Sequence, residues 1–294
     1  MATQYEADQA LAQHEHMLLG NDNVIYAAVV SDHGEWLIEV GVHRFTETMP
    51  PEALSLADPV ATGADEERSR IKIRVVQAEP PHLTYRDRVR PLTGGNSLGN
   101  EDVEGIGTLG CIIGLRNYPD RLFGLTCHHV LFTTGKVGDA VVQPAIADSG
   151  SIANDRIGAI TWGKVDQVVD VAIVEVNKDE SSLMTMHGAN NTTYKIKGIG
   201  NAIEWTRVWK VGRSTNSTSG IVKSVNASVN IDGQSYSSQL MVDQIMVEGG
   251  DSGSIVTDQN NIFVGLLFAG APATRVIYAN RSEYVMAALN SATF

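Results

Sequence analysis

The stretch Gln244-Ile245-Met246-Val247-Glu248-Gly249-Gly250-Asp251-Ser252-Gly253-Ser254-Ile255-Val256 sets a hydroxyl between glycines, with an apolar run on either side that reads as a strand. A serine hydroxyl is a poor nucleophile unless a base takes its proton and nearby N–H groups hold the resulting oxyanion. Glycine at 250 has no Cβ to prevent the backbone from turning N–H groups toward that charge. The same residues also read as a Gly/Ser-rich hairpin turn. The rest of the chain decides between the two.

Working outward, Leu122-Phe123-Gly124-Leu125-Thr126-Cys127-His128-His129-Val130-Leu131-Phe132 reads as an apolar strand ending in two histidines. Imidazole titrates close to neutral pH and is the usual general base. Val168-Val169-Asp170-Val171-Ala172-Ile173-Val174 places a carboxylate inside a run of β-branched residues, where an unpaired charge is costly. Asp170 therefore needs a partner, and a histidine N–H suits it; in that role it would fix the tautomer and stabilise the imidazolium. The chain order is His129, Asp170, Ser252. The α/β-hydrolases run Ser, Asp, His with a G-x-S-x-G elbow, and subtilisin-type chains begin with Asp. Here Ser254 stands where that elbow would have its last glycine.

Leu125-Thr126-Cys127-His128-His129-Val130 resembles the histidine motif of trypsin-like peptidases, Asp170-Val171-Ala172-Ile173 their aspartate strand, and Gly250-Asp251-Ser252-Gly253-Ser254 their nucleophile loop. Three further segments are similar to the subgroup related to the plant narrow-leaf protein, which has bacterial members. These are Arg90-Pro91 with Gly94-Gly95-Asn96-Ser97-Leu98-Gly99, Gly107-Thr108-Leu109-Gly110-Cys111, and Lys210-Val211-Gly212-Arg213-Ser214-Thr215. The resemblance spans about residues 85–294. It implies a serine endopeptidase of chymotrypsin-like double-barrel fold, with His129, Asp170 and Ser252 as the catalytic set and the cleft between two six-stranded barrels. The oxyanion donors would be the N–H groups of Gly250 and Ser252. The primary pocket would have Met246 at its base and Phe268-Ala269-Gly270 as a wall, with its far side near residues 278–280. With no acidic residue at 246, a small or apolar substrate residue is expected there, although Glu248 nearby could attract a basic one.

The resemblance puts the base at His129, so His128 on the same strand would face the other way as a hydrogen-bonded spacer. A His-His-Cys metal site lacks a second ligand cluster, so neither metal nor cofactor is expected. Asp251 reads as a turn former, in a loop held by internal hydrogen bonds or ordered by substrate or partner. A catalytically silent trypsin-fold binding or regulatory module is the alternative; the intact His129, Asp170 and Ser252 argue against it.

The chain is expected to be mainly β with a small N-terminal α/β unit. Residues 4–19 have an amphipathic helical pattern with Leu11, Met17 and Leu18 apolar. Segments 24–30 and 36–42 read as a hairpin about Ser31-Asp32-His33-Gly34, Pro50-Pro51 as a loop or short helix, and 71–76 as a strand. The expected organisation is an N-terminal unit at 1–82, a joining segment at 83–103 marked by Pro80-Pro81 and Gly94-Gly95, and a peptidase domain at 104–294. Short β runs dominate from 104 onward, with a helix at 283–289. The N-terminal unit either regulates, by covering the cleft, binding a partner or building a homo-oligomer, or simply extends the core; its different composition leans toward a separate module.

At 294 residues with 43% hydrophobic content, the chain can bury a sizeable core. A net charge of −12 argues against a nucleic-acid groove, and the run Asp65-Glu66-Glu67-Arg68 reads as a solvated loop. No apolar stretch is long enough to span a bilayer, and the acidic first residues lack the pattern of a signal peptide. A cytoplasmic location follows as an expectation, with a protein or peptide substrate and no membrane. Cys111 and Cys127 fall on strands expected to form a hairpin about Asn117-Tyr118-Pro119-Asp120, and two reduced thiols are expected.

Overall fold

Helix α1 (Gln4–Leu19) begins in a reciprocal cap. The Thr3 hydroxyl accepts the Glu6 N–H at 3.3 Å, and the Glu6 carboxylate accepts the Thr3 N–H at 2.7 Å. In the computed structural model, residues 2–21, 23–42, 53–55, 70–77, 84–188 and 192–294 are described. The expected features at Pro50-Pro51, Asp65–Arg68 and Pro80-Pro81 lie outside the described residues. The helix buries Ala7, Ala10 and Leu18, while Met17 turns to solvent. Small residues on its inner face let it lie close to a four-stranded sheet of β1 (Val24–Asp32), β2 (Glu35–Val42), β3 (Ala53–Ser55) and β4 (Arg70–Gln77). The β1–β2 hairpin turns at His33-Gly34, both with positive φ (49° and 86°), the requirement of a tight twist-compatible turn. Strand β4 pairs parallel with β2. Residues 1–82 form one compact unit and residues 83–294 a second.

The second unit is almost all strand. Its first sheet uses β6 (Asn96–Asn100), β7 (Ile106–Leu109), β8 (Ile112–Leu115), β9 (Tyr118–Thr126), β10 (Ala140–Val142), β11 (Arg156–Val165) and β12 (Asp170–Val176), preceded by the short β5 (Leu92–Gly94). The strand order is β7-β6-β10-β11-β12-β9-β8. The two ends of this sheet meet: the Gly110 N–H reaches Leu125 O at 2.7 Å and the Leu125 N–H reaches Cys111 O at 2.9 Å. β7 and β8 are two halves of one run, broken only at Gly110-Cys111, so the ring closes with the expected six strands. Two short helices, α2 (His128–Phe132) and α3 (Ile152–Asp155), interrupt it. Its buried side chains include Leu98, Leu109, Phe123, Leu125, Ile160, Val171 and Ile173, all 0–1% exposed. Full burial of each such side chain stabilises by about 1.5–3 kcal/mol.

A small sheet of β13 (Ser181–His187), β14 (Thr193–Lys195) and β5 leads to the second barrel. That barrel is built from β15 (Gly198–Ile199), β16 (Arg207–Gly212), β17 (Asn216–Ile231), β18 (Gln234–Asp243), β19 (Ile255–Asp258), β20 (Ile262–Ala271) and β21 (Val276–Arg281). Pairing of β20 with β21 closes six strands into a ring, and β15 adds to the outside of β20. Val208, Val222, Leu240, Val242, Ile245, Val256, Val264 and Ile277 fill it. Helix α4 (Ser282–Asn290) follows, covering the expected 283–289.

Two local expectations need correction. Residues 244–247 are not a strand: β18 stops at Asp243, and Gln244 takes φ +61°, which breaks the extended run. Residues 128–132 are helical, not the end of the strand, so His128 and His129 are neighbours on a helical turn and do not alternate across a sheet. The β8–β9 hairpin turns at residues 116–117, just before Tyr118. Cys111 and Cys127 flank it as unbonded, buried thiols. Among the described residues, no helix is long and apolar enough to cross a membrane.

Candidate active site

Strand β9 delivers the chain to α2, and β12 runs antiparallel beside β9 with Ala172 opposite Thr126. This pairing brings Asp170, the first residue of β12, to the opening turn of α2. Its carboxylate accepts both N–H groups of His129: the imidazole Nδ1 at 2.7 Å from Oδ2, and the backbone N–H at 3.2 Å from Oδ1. A carboxylate at Nδ1 places the ring proton there and leaves Nε2 as the acceptor. The Asp170 side chain is 4% exposed and that of His129 is 41% exposed, so the carboxylate is shielded while the imidazole stays open to solvent.

Asp170 is also gripped from the second barrel. Its N–H donates to Asn280 Oδ1 at 2.9 Å. The Asn280 amide donates to Gln239 Oε1 at 2.9 Å, and the Gln239 amide donates to Val168 O at 2.9 Å. Asn280 and Gln239 are fully buried. Asn280 therefore serves the aspartate rather than a pocket wall.

Ser252 lies in the loop between β18 and β19. Its carbonyl accepts the Thr108 N–H at 2.8 Å, and the Gly253 N–H donates to Leu267 O at 2.8 Å. Gly253 has φ +94°, and a Cβ there would stand 2.2 Å from Thr108 O and 2.3 Å from Thr126 Oγ1. Only glycine permits this approach, which seats the serine loop against the strand ends that precede His129. His129 and Asp170 are joined by hydrogen bonds, and the Ser252 loop is tied to Thr108 and to Leu267, whose carbonyl also receives the Cys127 thiol. Among the described residues, the Ser252 hydroxyl forms no hydrogen bond; catalytic contacts often tighten only when substrate is bound.

The loop is stiffened by a group that sequence reasoning missed. Lys210 and Asp251 are both fully buried and paired at 3.0 Å. The Asp251 carboxylate also accepts the N–H groups of Ser214 (2.9 Å), Thr215 (3.1 Å) and Glu248 (3.1 Å), and the Thr215 hydroxyl at 2.6 Å. Burial alone would raise its pKa. The Lys210 charge and these donors outweigh that and hold it below the usual carboxylate range. Burial pushes the Lys210 ammonium down, and the ionised Asp251 beside it opposes that shift. Lys210-Val211-Gly212 belongs to a segment already noted for its resemblance, but a lysine within a strand carries no sign that it will be buried.

His128 stacks on Phe132 with centroids 4.4 Å apart and planes at 4°, and burial pushes its pKa down. The Cys127 thiol donates to Leu267 O at 3.1 Å, and burial pushes its pKa well above the ordinary value; it is not poised as a thiolate. Cys127, His129 and Asp170 offer donor atoms within 4.8 Å of one another. With the thiol held protonated and the imidazole N–H committed to Asp170, the set suits proton handling better than a cation.

Of the expected pocket residues, Met246 is 53% exposed, and its carbonyl accepts the Thr218 hydroxyl at 3.1 Å. Phe268 is buried against the Tyr236 ring. Ala269 and Gly270 are more open. The side chain that meets Gly270 is Val247: a Cβ on Gly270 would lie 2.7 Å from its Cγ1.

The family model for the trypsin-like peptidase domain matches residues 110–266, more than half of the chain, a range within which His129, Asp170 and Ser252 fall. The chain belongs to the trypsin-like peptidase family. The peptidase fold is also that of solved proteases. Thermobifida fusca Protease A is similar at 16% identity and a TM-score of 0.54, over 67% of this chain and 94% of its own. A Nocardiopsis protease matches at 18% identity and 0.54, over 67% and 96%. A Cellulomonas bogoriensis chymotrypsin matches at 16% and 0.50, over 67% and 94%. At these identities the likeness is one of fold: two β-barrels of the chymotrypsin type. No curated protein matches the chain.

Proposed function

We propose that this trypsin-like peptidase is an active serine endopeptidase that cleaves selected proteins in the cytoplasm, with His129, Asp170 and Ser252 as its catalytic residues. The observation that carries the reading is the double hydrogen bond from His129 to the shielded Asp170, with the Ser252 loop seated beside it. Ser252 Oγ attacks the scissile carbonyl as His129 Nε2 takes its proton. The carbonyl oxygen becomes an oxyanion facing the N–H groups of Gly250 and Ser252. His129 returns the proton to the leaving amine, and water attacks the acyl-serine by the same route in reverse. Asp170 holds the ring and stabilises the imidazolium without taking a proton itself.

Packing of Val247 on Gly270 narrows the space beside the loop, which supports a small or apolar residue on the acyl side of the cut bond. The unbonded Cys111 and Cys127 suit a reducing compartment. The motifs at 94–99, 107–111 and 210–215 support membership of the narrow-leaf-related subgroup. In the structure, Thr108, Lys210, Ser214 and Thr215 from the last two all brace the serine loop.

The test is to map new protein N-termini in an extract treated with wild-type protein or with Ser252→Ala. Wild type is expected to generate a defined set, cut after small or apolar residues, that Ser252→Ala does not generate. Identical sets from both proteins would remove the endopeptidase reading. Dominant cleavage after Arg or Lys would remove the pocket reading alone.

A further inference from the structure

We propose that Ser214 and Ser254 are positioning residues for the oxyanion hole, each pinning the carbonyl of the peptide unit whose N–H faces the developing charge; this rests on the assignment of Gly250 and Ser252 as donors. In a trans peptide the C=O and the following N–H point in opposite directions. Fixing one fixes the other. The carbonyl of Gly249 shares its peptide unit with the Gly250 N–H, and it accepts the Ser214 hydroxyl at 2.6 Å. The carbonyl of Asp251 shares its unit with the Ser252 N–H, and it accepts both the N–H and the hydroxyl of Ser254, at 3.0 and 2.6 Å. Both serines thus sit behind the two donors and hold them outward.

The Ser214 hydroxyl is itself aimed. Arg213 Nη1 donates to Ser214 Oγ at 3.0 Å, which leaves the hydroxyl proton to point at Gly249 O. The guanidinium is fixed by a two-point pairing with Asp148, at 2.5 Å from Nε and 2.6 Å from Nη2. Asp148 lies in a turn of the first barrel and also accepts the Ser97 hydroxyl at 2.6 Å. The relay Asp148–Arg213–Ser214–Gly249 therefore runs from one barrel into the oxyanion loop of the other. Between the two peptides, the Gly250 carbonyl is tied to Thr108 Oγ1 at 2.8 Å. Gly250 has φ +93°, and a Cβ there would come within 2.7 Å of Ser214 Oγ and 2.8 Å of Arg213 Nη1. The space is already filled by the clamp.

Steady-state kinetics of Ser214→Ala, Ser214→Thr and Asp148→Asn on one peptide substrate test this, alongside inhibition by a peptide aldehyde that forms a tetrahedral adduct. Complete loss of an oxyanion donor costs about 10²–10³ in rate, so loosening one should cost about tenfold. Ser214→Ala is expected to lower kcat about tenfold with KM within about twofold, and to weaken the aldehyde by a similar factor. Ser214→Thr should restore most of both. Asp148→Asn should move kcat the same way, and it decides the matter if Ser214→Ala does not fold. Wild-type kcat in a folded Ser214→Ala, or a loss that appears only in KM, overturns the inference. A wild-type protein that neither turns over peptide nor reacts with an organophosphorus probe overturns the hydrolytic reading itself, which is a separate outcome.

Discussion

Asp170→Asn is expected to lower kcat by about four orders of magnitude while leaving KM within a few-fold, measured by steady-state peptide hydrolysis. The reason is the pair of bonds to His129. One carboxylate oxygen accepts the backbone N–H and the other accepts Nδ1–H. An asparagine keeps one acceptor and turns an NH2 toward the ring. Nδ1 must then accept, the proton moves to Nε2, and the atom that should take the Ser252 proton no longer has a lone pair to offer. The backbone bond from residue 170 to Asn280 survives the change, and the buried charge is gone, so thermal stability should hold. A folded Asp170→Asn protein with kcat within tenfold of wild type would show that the His129–Asp170 contact is not catalytic.

Lys210→Met should be the most damaging change to the fold of the site. It leaves Asp251 as an uncompensated charge in a fully buried position. Breaking a buried pair from one side costs about 3–5 kcal/mol, a large share of the roughly 5–15 kcal/mol that holds a domain together. Denaturant unfolding at neutral pH should show that loss. Because Asp251 also anchors Ser214, Thr215 and Glu248 through their N–H groups, activity should fall further than stability alone explains. The pH dependence has a definite sign. In wild type the Asp251 pKa is depressed on folding, so its contribution is full above the unfolded value of about 4 and is lost as pH falls through the native value. Without Lys210, burial raises the Asp251 pKa, so the deficit of the variant should already begin to shrink above about pH 4 and go on shrinking through it, as Asp251 takes a proton and needs no counter-charge. A variant as stable as wild type at pH 7 would contradict the role assigned to the pair.

What could be read in the sequence was what is local. Gly250–Ser254 and the segment ending at His129 declare themselves because their residue types and spacing fit the motifs of the trypsin-like family to which the chain belongs. The β-branched run around Asp170 declared a buried carboxylate that needs a partner, and the structure supplies His129. The helical turn at His128–Phe132 was hidden because a short apolar run fits a buried strand and a buried helix equally well. The Gln244 break was hidden because positive φ at a non-glycine residue is imposed by the surrounding fold. Lys210 and Asn280 were unreadable for a third reason. Each is a polar residue in a strand, made tolerable by partners far along the chain: Asp251 for Lys210, and Asp170 and Gln239 for Asn280. Such pairs exist only once both barrels are assembled. The same holds for the Ser214 clamp, whose two ends come from different barrels.

The most direct test of the account is mass spectrometry of the intact protein and its peptides after exposure to a fluorophosphonate. The phosphorus should attach once, to Ser252 Oγ, and the adduct should be absent from Ser252→Ala and strongly slowed in His129→Ala. An unmodified wild-type protein, or label on another serine with Ser252 untouched, would contradict it.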